Sequence, residues 1–317
     1  MASARLECRA NHCDLVGACR TEFAGDANSR RVSSRAEIVK SLRHTVKYSI
    51  AVSRMLGLLS ASRLLSRKLL RSDQRQAVTH IHPPGCPAGL WIRSQGSDLD
   101  VALQIFQTRD YDLSWCTPYK HHIEAVCDRI RTNGDVPLII DAGANIGAST
   151  LWFSFEFPDC RVFAIEPDEA NFEMLTKNTA DRPNVTLFHA GLWDQPTSLS
   201  IVSNDDDSWG RRVAEEAGRN AAIASVTIPE LLEKEPRLRP LIVKIDIEGA
   251  ETAVFRSNTT WVDEVPLLIF EPHDNLWQWL GTWQGTGHAF FSALSRRKRE
   301  YIFRGENVLA FLHSDLV

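Results

Sequence analysis

Acidic and histidine side chains follow several short apolar segments of this 317-residue chain. Asp141, Glu166 and Asp246 each close one apolar run, and Glu271 and His273 follow another. Stability does not explain this pattern, because a carboxylate without a partner is costly to bury. In a doubly wound sheet the carboxyl ends of the parallel strands meet at one edge, and ligands bind there. The pattern therefore predicts a polar ligand site at that edge.

The loop at 141–147 has glycines at 143 and 147, with Asn145 where a dinucleotide-binding loop has its middle glycine. Asparagine tolerates a left-handed backbone, so a tight turn remains feasible. Its Cβ would crowd a pyrophosphate, however, and no phosphate-binding Lys-Ser/Thr pair follows. The loop therefore favours a nucleoside ligand without phosphates. Glu166, after the second apolar run, is placed to accept hydrogen bonds from ribose hydroxyls.

The segment 244–251 places three charged residues at alternate positions. On a strand, Lys244, Asp246 and Glu248 would project to one side, while Ile245 and Ile247 would project to the other. Charges on one side of an otherwise apolar central strand indicate a polar cleft. The alternative is a buried ion pair between Lys244 and Asp246 that supports the sheet.

These segments resemble the FkbM family of methyltransferases. The resemblance rests on four runs: residues 139–147, the Ile165-Glu166-Pro167 step, residues 243–251, and residues 269–273. Upstream, residues 96–106 resemble a leader found in many members. The resemblance covers about residues 90–275, and its most specific part is the Lys-Ile-Asp-Ile-Glu-Gly-Ala-Glu signature at 244–251.

The resemblance implies an enzyme that uses S-adenosylmethionine to methylate a hydroxyl, often on a sugar, a glycan or a secondary metabolite. It places the glycine loop at the amino-acid part of the cofactor, Glu166 at the ribose, and residues 190–192 beside the adenine. Asp246 and Glu248 would face the reacting centre. The predicted cofactor-binding residues are Asp141, Gly143, Asn145, Gly147, Glu166, Ala190, Gly191, Leu192 and Asp246.

A neutral hydroxyl is a poor nucleophile and benefits from a general base. His273 is the candidate by intrinsic pKa, and Asp246 is the candidate by its place in the signature. The predicted catalytic residues are thus Asp246, His273 and Glu248. Two alternatives stay open: His273 is an ordinary loop histidine, or Asp246, Glu248 and His273 hold a divalent cation that acidifies the hydroxyl. The prediction itself contains no metal site.

The elements that must position these residues alternate between strands and helices from about residue 138 onward. Apolar strands separated by helices indicate a mostly parallel sheet covered on both faces. A hairpin signal, Arg304-Gly305-Glu306-Asn307, separates the last two apolar runs. The expected fold is α/β: with the resemblance, a Rossmann-like class I methyltransferase fold with seven strands, helices on both faces and a C-terminal antiparallel hairpin.

The N-terminal part differs in character. We expect a disordered leader at 1–33, a basic amphipathic helical extension at 34–80, and the methyltransferase domain at 81–317. Residues 30–75 contain twelve Lys or Arg and two acidic residues. This basic face at 34–75 would touch an anionic membrane surface peripherally, or the helix packs on the main domain with a solvated basic face, which we favour.

Composition narrows the function classes. A net charge of −4 argues against a general nucleic-acid binder, and seven irregularly spaced cysteines suit free thiols in the cytoplasm. The expected partner is a small-molecule or glycan acceptor. Two competing functions remain: a nucleotide-dependent oxidoreductase or sugar-modifying enzyme on the same sheet, and a non-catalytic cofactor-binding scaffold in glycan assembly.

Overall fold

The computed structural model describes residues 47–56, 77–203, 211–215, 223–276 and 283–313. The predicted leader at 1–33 and most of the predicted extension lie outside these residues, as do Trp277 and Trp279 of an aromatic-rich stretch. Within the described ranges, no helix is both long and apolar enough to cross a membrane.

From Val136 onward, the strands of the main sheet alternate with helices, as the sequence predicts. The helices are 47–56 (α1), Asp98–Ala102 (α2), Thr117–Thr132 (α3), Ala148–Glu156 (α4), Glu169–Thr179 (α5), Ile228–Glu233 (α6), Glu251–Val254 (α7) and Thr286–Leu294 (α8); a π-helical turn, Leu103–Thr108, continues α2. The strands are Val78–Ile81 (β1), Leu90–Arg93 (β2), Val136–Ala142 (β3), Arg161–Ile165 (β4), Val185–Phe188 (β5), Gly191–Leu192 (β6), Ser198–Ser203 (β7), Arg211–Glu215 (β8), Ile223–Val226 (β9), Leu238–Ile245 (β10), Leu267–Phe270 (β11), Arg299–Arg304 (β12) and Asn307–Leu312 (β13).

Seven strands form the central sheet in the order β12-β13-β11-β10-β3-β4-β5. The pairs among β11, β10, β3, β4 and β5 are parallel, whereas β13 is antiparallel to both β11 and β12. This is the predicted Rossmann-like class I methyltransferase fold with its terminal hairpin. From β3 the chain proceeds outward to β4 and β5, and later from β10 outward to β11. The switch point therefore lies between β3 and β10, where a doubly wound sheet binds its ligands.

Alternate residues of the central strands enter two different hydrophobic cores. On β3, Ile139 packs in one cluster, while Leu138 and Ile140 pack in the other. On β10, Ile242 and Val243 divide in the same way. Because successive side chains on a strand point to opposite faces, the two clusters are the two covered faces of one sheet. This burial explains why the strands are apolar without polar alternation.

A second, smaller sheet was not predicted. Its strand order is β6-β9-β7-β8. The Arg256 guanidinium anchors this sheet by an ion pair with Asp194 at 2.9 Å and another with Glu215 at 3.0 Å.

The start of the described chain packs on the main domain. Val52 and Met55 of α1 are buried in the same core as α4. The described part of the N-terminal extension therefore packs on the main domain. Strand β1 pairs with β2 across the loop at 82–89. The predicted domain boundary at 81 therefore falls inside a hairpin: the Pro-Pro-Gly turn connects two paired strands.

Candidate functional site

An open cleft lies at the carboxyl ends of β3, β4 and β10, at the switch point of the sheet. It has a volume of about 880 Å³, including the solvent at its mouth. Seven of the predicted site residues line it, namely Gly143, Asn145, Glu166, Gly191, Leu192, Asp246 and Glu248. The other four predicted residues, Asp141, Gly147, Ala190 and His273, do not line it.

The glycine loop passes directly against the end of β10. Gly143 has a φ of +75°, and a Cβ at this position would lie 1.7 Å from the carbonyl oxygen of Asp246. The loop and the signature segment can therefore approach only because residue 143 has no side chain. Asn145 has a φ of +51°, so the left-handed turn expected of this asparagine is present.

Glu166 closes the loop from the neighbouring strand. Its Oε2 accepts a hydrogen bond from the Asn145 amide at 2.8 Å, and its Oε1 accepts one from the Asp168 amide at 2.9 Å. Burial raises the pKa of Glu166 to about 7, although these hydrogen bonds act in the opposite direction. The carboxylate thus shapes the loop and also lines the cleft.

Asp141 supports the loop from below. It is fully buried, and its Oδ2 accepts hydrogen bonds from Ser149 at 2.7 Å and Thr150 at 2.6 Å, both in the first turn of α4. Its Oδ1 lies 3.3 Å from the Lys244 ammonium. This arrangement ties β3, α4 and β10 together behind the cleft.

Lys244 connects the two halves of the site. Its ammonium donates to the Gly143 carbonyl at 2.8 Å and lies 3.5 Å from Asp246 Oδ2. Burial opposes its charge, but Asp141 and Asp246 raise the pKa of Lys244 above its ordinary value. The ion pair that we considered as an alternative to a cleft is present, and it forms part of the cleft wall.

The signature segment leaves the strand earlier than expected. Strand β10 ends at Ile245, and Glu248 has a left-handed φ of +57°. The strict alternation predicted for residues 244–248 therefore stops, although Asp246 and Glu248 both still face the cleft. Glu251 holds this turn, because its Oε1 accepts hydrogen bonds at 3.2 Å from the amides of Ile247 and Gly249.

His273 is buried beside four carboxylates. Its Nδ1 lies 2.7 Å from Glu251 Oε1, while its Nε2 lies 3.4 Å from Glu248 Oε2 and 3.7 Å from Asp246 Oδ1. Glu271 Oε1 is 3.8 Å from the same Nε2. Burial opposes protonation, but Glu251 and Glu248 hold the pKa of His273 well above its ordinary value. A histidine that keeps its proton is not a free base at neutral pH, so this environment does not fit the general-base role predicted for His273.

Some residues of the site were not in the prediction. Tyr111, Gln104 and Asn171 line the cleft, and Glu251 organises its acidic end. Gln104 lies in the upstream segment 96–106 that resembles the family leader, and Glu251 closes the 244–251 signature. The sequence therefore contained a signal for both Gln104 and Glu251. Nothing in the sequence marked Tyr111, whose pKa burial and nearby carboxylates raise well above 10.

Comparison with known proteins bears directly on this cleft. Residues 141–291 match the family model described as the methyltransferase FkbM domain. Over these residues the chain is similar to FkbM methyltransferases. The match begins at the first acid of the glycine loop and includes the signature segment and His273, so the matched region supplies the acidic end of the cleft and most of its loop side.

Curated relatives agree with this assignment. The hexuronic acid methyltransferase AglP of Haloferax volcanii is 28% identical over 42% of this chain and 54% of its own length. The methyltransferase sdnD of Sordaria araneosa is 24% identical over 44% of this chain and 66% of its own length. The chain thus spans between about half and two-thirds of the length of these relatives.

Among solved structures, the precorrin-6y C5,15-methyltransferase of Geobacter metallireducens is 16% identical, with a TM-score of 0.32 over 56% of this chain and 81% of that chain.

Proposed function

We propose that this protein is an S-adenosylmethionine-dependent O-methyltransferase that acts on a hydroxyl of a sugar, glycan or secondary metabolite. The observation that carries the proposal is the juxtaposition at the switch point. There the glycine loop with Glu166 and the carboxylates Asp246 and Glu248 line one open cleft. The FkbM domain and the hexuronic acid methyltransferase among its relatives support a carbohydrate acceptor.

The cleft has the chemistry that S-adenosylmethionine requires. Three carboxylates, those of Glu166, Asp246 and Glu248, line it together with the single ammonium of Lys244. This excess of negative charge suits the sulfonium and ammonium groups of the cofactor. Asn145 Oδ1 is buried and has no hydrogen-bond partner among the described residues, so it can accept from the cofactor's ammonium group.

Each part of the cofactor then has a proposed contact. The loop around Gly143 and Asn145 holds the amino-acid part, Glu166 accepts from the ribose hydroxyls, and Gly191 and Leu192 border the adenine. When bound, the cofactor supplies an electrophilic methyl group on a positively charged sulfur. Alignment of the acceptor oxygen with that methyl is the main task of the protein.

Proton removal is assigned to the carboxylate pair Asp246 and Glu248 rather than to His273. Both line the cleft, and their side chains keep about a quarter of their surface exposed, at 23% and 24%. A carboxylate within reach of the acceptor hydroxyl can take its proton as the oxygen attacks. His273 fixes these carboxylates from behind.

The test is methyl transfer itself. The full chain is incubated with methyl-labelled S-adenosylmethionine and a panel of free uronic acids, neutral sugars and glycans, and products are identified by mass spectrometry and alkali treatment. The proposal expects a methyl ether that survives alkali. An alkali-labile methyl ester would show instead that the methyl acceptor is a carboxylate. Absence of transfer to every class of hydroxyl, with the cofactor bound, would contradict the proposed chemistry.

A further inference from the structure

The acidic end of the cleft contains a set of ligand atoms arranged around one point. One atom each from Asp246, Glu271 and His273 lies within 4.8 Å of the other two. His273 Nε2 is 3.7 Å from Asp246 Oδ1 and 3.8 Å from Glu271 Oε1. Metal–ligand bonds of about 2.0–2.2 Å place two ligand atoms of one ion about 3–4.4 Å apart, so small side-chain adjustments suffice.

His273 gives the second, independent observation. The side chain is fully buried, and its Nε2 has no hydrogen-bond partner among the described residues. This nitrogen points into the group of carboxylates. A buried polar atom without a hydrogen-bond partner requires an explanation. A cation at the centre of the carboxylates supplies one.

The opposite nitrogen of the same ring has the partner that metal-bound histidines have. His273 Nδ1 donates to Glu251 Oε1 at 2.7 Å, and both side chains are fully buried. Such a bond to a carboxylate fixes the ring orientation. A metal ion would displace the Nε2 proton to solvent and bind the lone pair that it leaves. The backbone is fixed as well, because the His273 amide donates to Thr286 Oγ1 at 3.0 Å.

Asp246 lies between Lys244 and His273. Its Oδ2 faces the Lys244 ammonium at 3.5 Å, whereas its Oδ1 faces His273. One oxygen therefore faces the structural ion pair, while the other faces the cluster. Glu248 Oε2, 3.4 Å from His273 Nε2, lies at the rim of the same group. Since Asp246 and Glu248 line the cleft, an ion can enter from solvent.

We propose that Asp246, Glu271 and His273 bind a divalent first-row transition-metal ion of the Mn²⁺ type. One imidazole with two carboxylates is a mixed nitrogen and oxygen set, which such ions accept. Mg²⁺ is less suited, because it prefers oxygen ligands and retains its waters. The remaining coordination positions open toward the cleft.

The role of the ion rests on the proposed function, whereas its binding does not. A hydroxyl coordinated to the ion becomes more acidic. The acceptor oxygen then loses its proton to Glu248 and forms a bond to the methyl carbon. At the same time the carbon–sulfur bond breaks and its electron pair stays on sulfur.

The test uses the full chain after chelator treatment, titrated with Mn²⁺ alone. We expect saturable binding by calorimetry and a nitrogen coupling from an imidazole in the pulsed electron paramagnetic resonance spectrum. Glu271→Gln and His273→Gln should each weaken Mn²⁺ binding at least tenfold, as should Glu251→Gln through the orientation of His273. Glu156→Gln, a surface carboxylate paired with Lys120, should leave it unchanged.

The spectrum of the wild-type protein tests nitrogen ligation directly. Misfolding of a variant therefore does not prevent a decision on the metal site. The proposal is overturned if Mn²⁺ does not saturate, if the bound ion shows no nitrogen coupling, or if the folded Glu271→Gln variant binds as the wild type does. Binding of S-adenosylhomocysteine is measured on the metal-free protein in parallel. Binding of S-adenosylhomocysteine without binding of Mn²⁺ refutes only the metal site. Binding of Mn²⁺ without binding of S-adenosylhomocysteine refutes only the proposed cofactor.

Discussion

The two ends of the cleft differ in how their polar groups are satisfied. At the loop end the polar groups largely satisfy one another, since Glu166 accepts from the Asn145 and Asp168 amides and Lys244 donates to the Gly143 carbonyl. At the acidic end, like charges crowd around His273, whose Nε2 has no hydrogen-bond partner in the described part of the chain. The first end is a rigid cradle that needs no ligand to hold its shape. The second is an arrangement that a proton or a cation must neutralise.

The largest effect should come from adding a side chain to the cradle. Gly143→Ala places a Cβ 1.7 Å from the Asp246 carbonyl oxygen at a φ of +75°. We expect loss of S-adenosylhomocysteine binding and a decrease of roughly 2–4 kcal/mol in the free energy of unfolding, because both the backbone and the contact are strained. Calorimetry and denaturant unfolding measure these two effects.

Gly134→Ala is the matched control. Gly134 also has a positive φ, +82°, but a Cβ there meets nothing within 4 Å. Only the backbone strain of about 1 kcal/mol should remain, with ligand binding intact. Equal effects of the two substitutions would show that the contact between the loop and Asp246 does not matter.

A substitution at the acidic end should affect catalysis rather than cofactor binding. Asp246→Asn removes one of the two proposed proton acceptors and leaves the size of the side chain unchanged. We expect methyl transfer to fall by about 100-fold or more, while S-adenosylhomocysteine binding changes only a few-fold. Steady-state rates and calorimetry separate the two. A variant that retains full activity would move the proton acceptor away from this residue.

A smaller effect, graded with pH, should come from Glu166. Burial raises its pKa from 4.5 to about 7, so the folded protein holds this proton between those values and its stability falls as the pH rises through that window. The ionised carboxylate is the better acceptor for ribose hydroxyls. Affinity for S-adenosylhomocysteine should therefore increase by up to about tenfold between pH 6 and pH 8.

Glu166→Gln distinguishes this carboxyl from other titrating groups. The neutral amide cannot ionise, so the affinity of the variant should stay flat over the same pH range. A profile that keeps its slope in Glu166→Gln would assign the pH dependence to another residue.

The smallest effect concerns neither end of the cleft. Val52 of α1 is fully buried in the main core, whereas Ile50 is 46% exposed. Val52→Ala should lower the free energy of unfolding by roughly 1–2 kcal/mol, and Ile50→Ala should change it by less than half as much. Thermal unfolding measures both. Equal changes would mean that α1 does not pack on the domain in solution.

The cradle was far easier to predict than the acidic end, and the reason is physical. The left-handed turn at Asn145, the strand before Glu166 and the hairpin between β12 and β13 are local features, so residue types over a few positions predict them. His273 depends on contacts with Glu251 and Thr286, which lie on α7 and at the start of α8. Its protonation is set by these non-local neighbours, which intrinsic pKa alone does not include. The second sheet escaped prediction for the same reason, since its strands pair across loops of the chain.

The most direct test of the central claim is a calorimetric titration of the full chain with S-adenosylhomocysteine and, separately, with NAD⁺. The cradle lacks the middle glycine that a pyrophosphate needs, and Asn145 occupies that position in a left-handed turn. Saturable binding of S-adenosylhomocysteine with no binding of NAD⁺ is the predicted result. Binding of NAD⁺ without S-adenosylhomocysteine would contradict the account and restore the oxidoreductase alternative.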